Sequence, residues 1–490
     1  MPRVPSGPMP RVPSGPMPRV PSGPMPRVPS GPMPRAPQTG PMRAASTRPG
    51  PVRTATPWAR AEVVLGVIAA GAVAVLGLWW ADTPRVSGLG DALTEAGRIC
   101  GLLAGYGVVV LVALMARLPP LERGVGSDRL ARWHAAGGRY VVSLVVAHAL
   151  LIIWGYAVTA HSGLVSETGT LLKSYPDVLM ATVALFLFVG IGVISARAAR
   201  SRMRYETWYY LHFYTYLAIA LAFSHQFADG AQFIASLPAR FVWSSMYAVV
   251  AALVIWYRIV TPLVTMRRHR FHVIGVRAES ADVISIYIGG RWLEELRAQP
   301  GQFFRWRFLD RGLWWQSHPY SLSALPSDNM LRITVRQRGD HSSALAALRP
   351  GTRVIAEGPF GALVPARTRR RVLLLAGGVG ITPLRAIFAA LPSGRVTLIY
   401  RASDPNDIVL SDELDAIAAD RGGQVHYVTG TREELGGDPL SPNYLLAMVP
   451  DLRRHEVYLC GPPGMTATAI ESLQAAGVPR TRIHHESFEF

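Results

Sequence analysis

Six apolar stretches follow one another between residues 61 and 264. Each has about the twenty residues that an α-helix needs to cross a bilayer. Their approximate limits are Ala61–Ala81, Arg98–Ala116, Gly138–Ala160, Pro176–Ala196, Tyr205–Phe227 and Phe241–Val264. The third helix is expected to begin before Gly138, so that His134 lies on it. The pattern predicts a bundle of six transmembrane helices within residues 59–265.

After Arg270 the apolar runs give way to alternating apolar and polar residues. Segments such as GQFFRWRF and LRITVRQR have the two-residue period of strands and predict an antiparallel β-barrel over residues 266–367. From Arg371, strands alternate with glycine-rich turns and helices, as in VLLLAGGVGITPLRAIFAAL. This order predicts an α/β domain with a parallel sheet over residues 368–490, so the expected fold is multidomain.

The chain begins with four copies of MPRVPSGP. Proline and glycine at this density prevent a packed core, so residues 1–58 are predicted to form a disordered tail. This tail is not expected to be a secretory signal, because the first apolar segment starts only at Ala61.

The distribution of charge adds an orientation. The formal net charge is +18, but eight arginines precede Trp58 in a segment that holds no acid, and others flank the apolar stretches. This is typical of the positive-inside rule rather than of nucleic-acid binding. We therefore expect a multi-pass protein of the cell membrane with both termini in the cytoplasm, the bilayer as a partner and no nucleic acid. Two cysteines are too few for a Cys-ligated iron–sulfur cluster.

Two of the predicted spans carry a pair of histidines each. His134 and His148 are separated by fourteen residues, and His212 and His225 by thirteen, which is roughly 20 Å along a helix. Because the predicted orientation makes these spans parallel, His134 is expected to face His212, and His148 to face His225. Imidazole in lipid is usually functional and is a common axial ligand of haem iron.

Spacing alone leaves other interpretations open. Fourteen helical residues return to within roughly 40° of the starting face, but thirteen miss it by roughly 140°. The histidines could also be hydrogen-bonded packing residues, or proton relays in a transporter.

Further motifs lie in the segments that follow the apolar stretches. AGGVGITP (376–383) follows an apolar strand and opens a helix, where glycines let the backbone approach a pyrophosphate. CGPPG (460–464) ends a later strand, a position at which open α/β sheets bind ligands. In HPYSLS (318–323) the tyrosine can cover a flat ring and Ser321 can hydrogen-bond a ring nitrogen. Gly339, Ser342 and Ser343 of RGDHSSAL can supply donors to phosphates.

In combination these motifs are more specific than each is alone. PGQF, HPYS, RGDHSS, EGPFG, AGGVGITP and CGPPG, in this order and ending in Phe490, resemble the ferredoxin–NADP⁺ reductase superfamily. The six-span segment with paired histidines resembles the ferric reductase transmembrane domain. Together, roughly from residue 60 to 490, the chain resembles the ferric reductase and NADPH oxidase family.

The resemblance implies a role for each matching residue. The histidines at 134, 148, 212 and 225 would ligate two b-type haems. FAD would be bound by His318, Pro319, Tyr320, Ser321, Gly339 and Ser342. The nicotinamide dinucleotide would be bound by Gly377, Gly378, Gly380, Thr382, Pro383, Gly461 and Pro462. Residues at the reacting rings would be Ser321, Cys460 and Phe490.

The expected function is transmembrane electron transfer from cytoplasmic NAD(P)H through FAD and two haems to an extracytoplasmic acceptor. Arg401 follows the strand VTLIY, where a ribose 2′-phosphate would lie, and this favours NADPH over NADH. The animal oxidases carry a further histidine where this chain has Ile152, which favours a ferric chelate over O₂ as acceptor. Arg98 is a candidate for binding an anionic ferric chelate or a haem propionate. Alternatively, it is an interfacial arginine whose side chain snorkels to the membrane surface. Superoxide production by an oxidase, and electron delivery to a partner protein, are the alternatives.

Overall fold

The computed structural model describes residues 60–82, 86–196, 202–203, 205–230, 233–234, 236–365 and 370–487. Its first part is helical, with α1 (Ala61–Asp82), α2 (Leu89–Leu114), α3 (Pro119–Gly124), α4 (Ser127–Thr159), α5 (Leu164–Ser174), α6 (Val178–Ser195), α7 (Tyr205–Ala228), α8 (Leu237–Ile255) and α9 (Thr261–His269). A π-helical turn, Trp256–Val260, connects α8 to α9. The predicted tail, residues 1–58, lies outside the described residues.

Several of these helices can span a membrane. In the described part of the chain, five are long and apolar enough: Ala61–Ala81, Leu89–Leu114, Arg129–Thr159, Val178–Ser195 and Leu237–His269. The fifth predicted span coincides with α7, a helix of 24 residues that is rich in tyrosine and also carries two histidines. The chain is therefore a multi-pass membrane protein by length and composition of its helices, while the count of six spans stays a prediction.

The second helix begins earlier than its apolar pattern indicated. It starts at Leu89 rather than near Arg98, because its first turns carry acidic residues that interrupt the pattern. Glu95 is nevertheless only 6% exposed. The indole Nε1 of Trp79 donates to it at 2.8 Å, and the guanidinium of Arg98 pairs with it one turn later. The carboxylate is thus partnered within the helix bundle.

Glycines bring α2 and α4 into close contact. A Cβ added to Gly155 would lie 2.3 Å from Thr94 Oγ1, and one added to Gly107 would lie 2.7 Å from Val141 Cγ2. Small residues let membrane helices approach this closely. As a result, the backbone of α2 runs directly beside the histidine side chains of α4.

Residues 271–365, here called the antiparallel domain, form two three-stranded sheets in the orders β1-β2-β5 and β4-β3-β6. The strands are β1 (His272–Ala278), β2 (Val283–Gly289), β3 (Phe303–Phe308), β4 (His318–Ser321), β5 (Met330–Arg336) and β6 (Val354–Phe360), and a short helix α10 (Asp340–Ala344) follows β5. Isolated bridges from His272 to Arg353 and from Leu322 to Ile333 connect the two sheets. The fully buried rings of Phe304 and Trp306 belong to its core.

Residues 370–487, here called the α/β domain, contain a five-stranded parallel sheet in the order β11-β10-β7-β8-β9. Its elements are β7 (Val372–Gly377), α11 (Ile381–Ala390), β8 (Val396–Ala402), α12 (Ser411–Arg421), β9 (Gln424–Thr429), α13 (Pro442–Met448), β10 (Glu456–Gly461), α14 (Pro463–Ala475) and β11 (Ile483–Ser487). Every residue of β7 and β10 is buried, as expected for central strands of a covered parallel sheet. Because these two strands are neighbours, the loops at their carboxyl ends meet.

The antiparallel domain contacts the membrane helices directly. Arg117, just after α2, forms an ion pair with Glu357 of β6, and the side chains are only 13% and 10% exposed. The ring of Tyr210 on α7 lies 5.9 Å from that of Trp315. The antiparallel domain therefore lies at the C-terminal end of α2, which contacts His134 of α4, and at the N-terminal end of α7, which carries His212.

Candidate functional site

The four membrane histidines lie in two pairs. The ring centroids of His134 and His212 are 5.9 Å apart, and those of His148 and His225 are 6.4 Å apart. A metal–imidazole bond is about 2 Å long, so two ring nitrogens on opposite sides of one metal ion would be separated by about 4 Å. The metal-binding nitrogen lies on the rim of each ring, so the ring centroids are farther apart than the nitrogens. Centroid separations of 5.9 and 6.4 Å therefore fit one metal ion between the rings of each pair.

The Nδ1 atom of each histidine is close to a polar atom of the protein. His134 Nδ1 is 3.1 Å from the carbonyl oxygen of Leu111, and His148 Nδ1 is 2.8 Å from that of Gly97. On α7, His225 Nδ1 is 3.0 Å from Asp229 Oδ2, whereas His212 Nδ1 is 3.5 Å from Ser195 Oγ. Metal-ligating histidines usually donate the other ring N–H in this manner, which fixes the ring orientation. With Nδ1 in these contacts, Nε2 is the ring nitrogen that could bind a haem iron.

Two features of the bundle suit this arrangement. A Cβ on Gly101 would lie 2.7 Å from His148 Nδ1, so only glycine leaves room for this imidazole. Between the levels of the two pairs, apolar side chains from four helices form a cluster of Val108, Val141, Ala184, Phe188 and Ala218. The two histidine pairs are therefore separated by an apolar layer of the bundle.

The antiparallel domain presents the HPYS motif along β4. The hydroxyl of Ser321 is buried and has no hydrogen-bond partner among the described residues. Burial raises the pKa of Tyr320 well above its ordinary value, so this phenol is neutral. The His318 ring lies 3.9 Å from that of His341, and burial together with the charge of His318 lowers the pKa of His341 to about 4. A buried hydroxyl without a partner could donate to a nitrogen acceptor of a flat ring.

The RGDHSS turn lies next to this motif. Gly339 has φ +85°, a conformation that favours glycine. The hydroxyl of Ser342 accepts from the backbone N–H of Arg338 at 2.7 Å, so it shapes the turn. A cavity of about 490 Å³ opens between the first turn of α7 and this turn, and its lining includes Thr207, Arg311, Trp315, Gln316, Asp340 and His341. The neighbouring Ser343 is exposed. This cavity adjoins both the HPYS motif and the helix that carries His212.

The two glycine-containing loops of the α/β domain are in contact. A Cβ on Gly380 would lie 2.2 Å from the carbonyl oxygen of Cys460, and one on Gly377 would lie 2.2 Å from Met465 Sδ and 3.1 Å from Pro462 Cδ. Gly378 has φ +51° and open space around it. The carboxyl ends of β7 and β10 therefore present one continuous backbone surface, with open space beside Gly378.

Other predicted residues of this domain support the same surface. Thr382 is buried, and its hydroxyl donates to the carbonyl of Val379 at 3.0 Å. Pro383 is buried in the first turn of α11. A Cβ on Gly461 would lie 3.3 Å from the Gly377 backbone. Phe490 lies outside the described residues, so its predicted position over the flavin ring stays a prediction.

Arg401 occupies the end of β8 but its guanidinium already has partners. It donates to the carbonyl oxygens of Val428 at 3.2 Å and Gly430 at 2.5 Å. Arg432 lies nearby and pairs with Asp438 at 3.1 Å. A 2′-phosphate at this strand end would have to share or replace the carbonyl contacts of Arg401.

A buried ionic network joins the antiparallel domain to the α/β domain, and sequence reasoning missed it. Arg332 of β5 donates to both carboxylate oxygens of Glu413 on α12, at 2.6 and 2.9 Å, and Arg385 of α11 pairs with the same carboxylate at 2.8 Å. Arg332 also donates to the hydroxyl of Ser323 at 3.1 Å. Because Ser323 belongs to HPYSLS and Arg385 to the helix after AGGVGITP, the network connects the flavin motif with the dinucleotide motif.

Sequence reasoning also missed the hydrogen-bond partners of the histidines. One of them had a signal, since Asp229 follows His225 at the i,i+4 spacing that brings helical side chains together. Ser195, by contrast, lies on another helix, and nothing near His212 in the sequence points to it. Arg98 pairs with Glu95 and lies next to Gly97, whose carbonyl contacts His148.

Comparison with known families resolves the domain composition. The ferric reductase like transmembrane component matches residues 100–223, the FAD-binding domain residues 268–364 and the oxidoreductase NAD-binding domain residues 374–471. The chain joins a ferric reductase-like membrane domain to a reductase module of the ferredoxin–NADP⁺ reductase type. This confirms the fused architecture that the motifs indicated, and its composition is that of an NAD(P)H-dependent oxidoreductase.

Individual relatives match the C-terminal half. An NADPH oxidoreductase of Mycobacterium tuberculosis is 30% identical over 246 residues, which cover 48% of this chain and 63% of the relative. The ferredoxin reductase component of a 3-ketosteroid-9-alpha-monooxygenase from Mycolicibacterium smegmatis is 33% identical and covers 40% and 57%. The FAD/NAD-binding domain of a nitric oxide dioxygenase from Vibrio cholerae is 26% identical, covering 44% of this chain and 97% of that domain, with a TM-score of 0.39. The chain thus spans about three fifths of the length of these curated relatives.

Proposed function

We propose that this protein transfers electrons across a membrane, from NAD(P)H through FAD and two b-type haems to an extracytoplasmic acceptor. The observation that carries the proposal is the pairing of four histidines at two levels, each with its Nδ1 atom beside a polar partner. FAD would accept a hydride and release single electrons, and the haems would pass these electrons on.

The residues of this chain have positioning and insulating roles in that function. His134 and His212 would hold the haem nearer the antiparallel domain, and His148 with His225 the farther one. Trp315 lines the cavity of about 490 Å³ and contacts Tyr210 of α7, so a flavin bound there would lie next to α7. On the same helix, the His212 ring stacks on Trp208 at 5.2 Å. The glycine loops at the carboxyl ends of β7 and β10 would hold the dinucleotide.

The positions of the arginines support an orientation with the antiparallel and α/β domains and both termini on the inner side. In this orientation the pair His148/His225 is nearest to the outside. Ile152 lies one turn beyond His148 and contacts Gly97. An aliphatic side chain there offers no hydrogen bond to bound oxygen, and this supports a ferric chelate rather than O₂ as the acceptor.

The acceptor can be tested in proteoliposomes that hold the purified protein. NADPH would be added on the side of the antiparallel and α/β domains and ferric citrate on the opposite side, with and without oxygen. We expect fast anaerobic reduction of iron. Rapid oxygen-dependent superoxide formation with negligible anaerobic iron reduction would instead assign the protein to the oxidases, and a requirement for a copurifying protein would indicate a partner as acceptor.

Replacing Ser321 by alanine is expected to slow flavin reduction while FAD stays bound. The buried hydroxyl has no described partner, so a flavin ring nitrogen is the acceptor that it would serve. One such hydrogen bond contributes roughly 1.5 kcal/mol, which corresponds to about a tenfold slower hydride transfer. Stopped-flow absorbance of the flavin after NADPH addition measures this. Ser327→Ala, at an exposed hydroxyl, is the control. An unchanged rate of flavin reduction in Ser321→Ala would show that the Ser321 hydroxyl takes no part in hydride transfer.

NADPH is proposed as the preferred nucleotide, because Arg401 stands at the end of β8 and a relative of this module is an NADPH oxidoreductase. Arg401→Ala is expected to lower the preference for NADPH over NADH by about tenfold, the value of a hydrogen bond to a charged group. Arg401→Lys should retain part of it. The ratio of kcat/KM for the two nucleotides is the measurement. If Arg401→Ala keeps the original ratio, the guanidinium only supports the carbonyls of Val428 and Gly430.

A further inference from the structure

A second cavity, of about 460 Å³, lies where the last membrane helix continues into the antiparallel domain. Its lining consists of Val264, Arg267, Arg268, Arg270, Arg291 and Trp292. Four of these six side chains are arginines and none is acidic. The electron-transfer function proposed above does not use this cavity.

Two contacts between His269 and Arg291 fix the two sides of the cavity to each other. The N–H of Arg291 donates to the carbonyl of His269 at 2.7 Å, and His269 Nδ1 lies 2.9 Å from the carbonyl of Arg291. His269 itself is 5% exposed. Arg270 and Trp292 have φ values of 48° and 56°, which non-glycine residues seldom adopt. The arginines at the end of the membrane helix are therefore held close to Arg291 of the β2–β3 connection.

The side chains around the cavity have the pattern of a membrane–water interface. Ile259, Leu263 and Val264 on the same helix are 53%, 40% and 54% exposed, as expected of side chains that face acyl chains. At about 1.5 Å per residue, Arg267 is only roughly 5 Å farther along the helix than Val264. Trp292 is 57% exposed, and tryptophan is enriched at the membrane–water interface.

We propose that this cavity binds the phosphate of an anionic phospholipid headgroup. Guanidinium groups bind phosphate through paired N–H donors. Arg268 is already held by Glu295, at 2.6 Å to each carboxylate oxygen, so Arg267, Arg270 and Arg291 are the cations that meet the phosphate. A lipid fits better than free phosphate, because the apolar helix face that begins at Val264 continues from the cavity in the direction of the acyl chains.

Such a lipid would connect the domains. Arg267 belongs to the membrane helix, whereas Arg291 and Trp292 belong to the antiparallel domain. One phosphate between them would hold that domain against the bilayer. The cavity therefore acts as a lipid-dependent clamp at the junction.

The test uses the full-length protein in detergent and native mass spectrometry after titration with phosphatidylglycerol, phosphatidylcholine or inorganic phosphate. Wild type is expected to retain phosphatidylglycerol in preference to phosphatidylcholine. In the double variant Arg267→Gln/Arg291→Gln, retention should weaken by about 30-fold, the combined effect of two basic side chains near an anionic lipid. Arg267→Lys/Arg291→Lys should retain most of the binding, and Arg349→Gln, an exposed arginine on the loop before β6, should retain all of it.

Equal retention of phosphatidylglycerol by wild type and the glutamine double variant would overturn the proposal. So would equal retention of the zwitterionic and anionic lipids by wild type. Inorganic phosphate that binds as tightly as phosphatidylglycerol would assign the cavity to a soluble phosphate instead. If the glutamine variant does not fold, single Arg291→Gln provides the same comparison, because Arg291 lies outside the membrane helix.

Discussion

Replacing His148 by alanine is expected to remove one of two haems and to abolish transfer to the extracytoplasmic acceptor. His148 has the shorter carbonyl contact of the two histidines on α4, 2.8 Å to Gly97, and its ring faces that of His225. In the proposed arrangement, alanine would leave His225 as a single ligand, and the haem nearest the outside would be lost. Reduction of flavin by NADPH should continue at the wild-type rate, because the antiparallel domain contacts the helices at the other level, that of His134 and His212.

Haem content decides this prediction independently of activity. Pyridine haemochrome analysis should give two haems per chain for wild type and one for His148→Ala. His161→Asn, an exposed histidine in the connection after α4, is the matched control and should keep both haems. Asparagine is chosen because His161 has φ 51°, which asparagine tolerates. Wild-type protein with one haem or none per chain would refute the assignment of the histidine pairs.

A milder variant tests the support of the same level. Asp229→Asn keeps the size of the side chain that His225 Nδ1 contacts at 3.0 Å, but it removes the charge. Loss of such a partner typically weakens metal binding about 10–100-fold. The haem at this level should therefore be lost more readily in the variant than in wild type.

The sequence was sufficient for the features that follow from local pattern and charge. The apolar stretches predicted five helices that are long and apolar enough to cross a membrane, and the arginines between the stretches predicted that the third and fifth spans run parallel. That inference alone placed His134 opposite His212 and His148 opposite His225. The thirteen-residue spacing argued against a common face, but both histidines of α7 lie near their partners on α4. A histidine side chain reaches away from the helix backbone. The position of its ring is therefore less restricted than the ideal angle between the two backbone positions on the helix implies.

What the sequence did not reveal depends on contacts between distant segments. Glu95 interrupts an apolar stretch, and only the fold shows that Trp79 and Arg98 satisfy it inside the bundle. Arg117 and Glu357 are far apart along the chain, and neither belongs to a pattern that predicts the ion pair between them. Buried ionic contacts of this kind are specified by tertiary packing, since propensity and periodicity describe only neighbours along the chain.

The ionic network around Glu413 leads to the second large prediction. The Glu413 carboxylate forms ion pairs with two arginines. One is Arg332, whose side chain is 5% exposed, and the other is Arg385, on the helix that follows the AGGVGITP loop. Burial alone would raise the pKa of Glu413, but the hydrogen bonds and charges of Arg332 and Arg385 outweigh it and hold the pKa below its ordinary value. The ionised carboxylate therefore stabilises the contact between the antiparallel and α/β domains.

Glu413→Gln is expected to destabilise this contact and to slow hydride transfer. The amide retains the shape and one acceptor oxygen, but two arginines lose their counter-charge. Breaking a buried pair costs about 3–5 kcal/mol, and the lower end applies because the Glu413 side chain is 28% exposed. Thermal release of FAD, followed by its fluorescence, should occur at a lower temperature in the variant. Flavin reduction by NADPH should slow as well, since Ser323 and Arg385 link this carboxylate to both cofactor motifs.

The dependence on pH separates this role from a loss of packing. Because the folded-state pKa of Glu413 is lowered, its contribution is fully present above the ordinary glutamate pKa and is lost as the pH falls through the folded-state value. The difference in thermal FAD release between wild type and Glu413→Gln should therefore be largest near neutral pH and shrink in acid. A packing defect would give a difference independent of pH. Glu471→Gln, at an exposed glutamate of α14, is the control and should behave as wild type at every pH. If Glu413→Gln behaves like this control, the antiparallel and α/β domains are held together without the ionic network of Glu413.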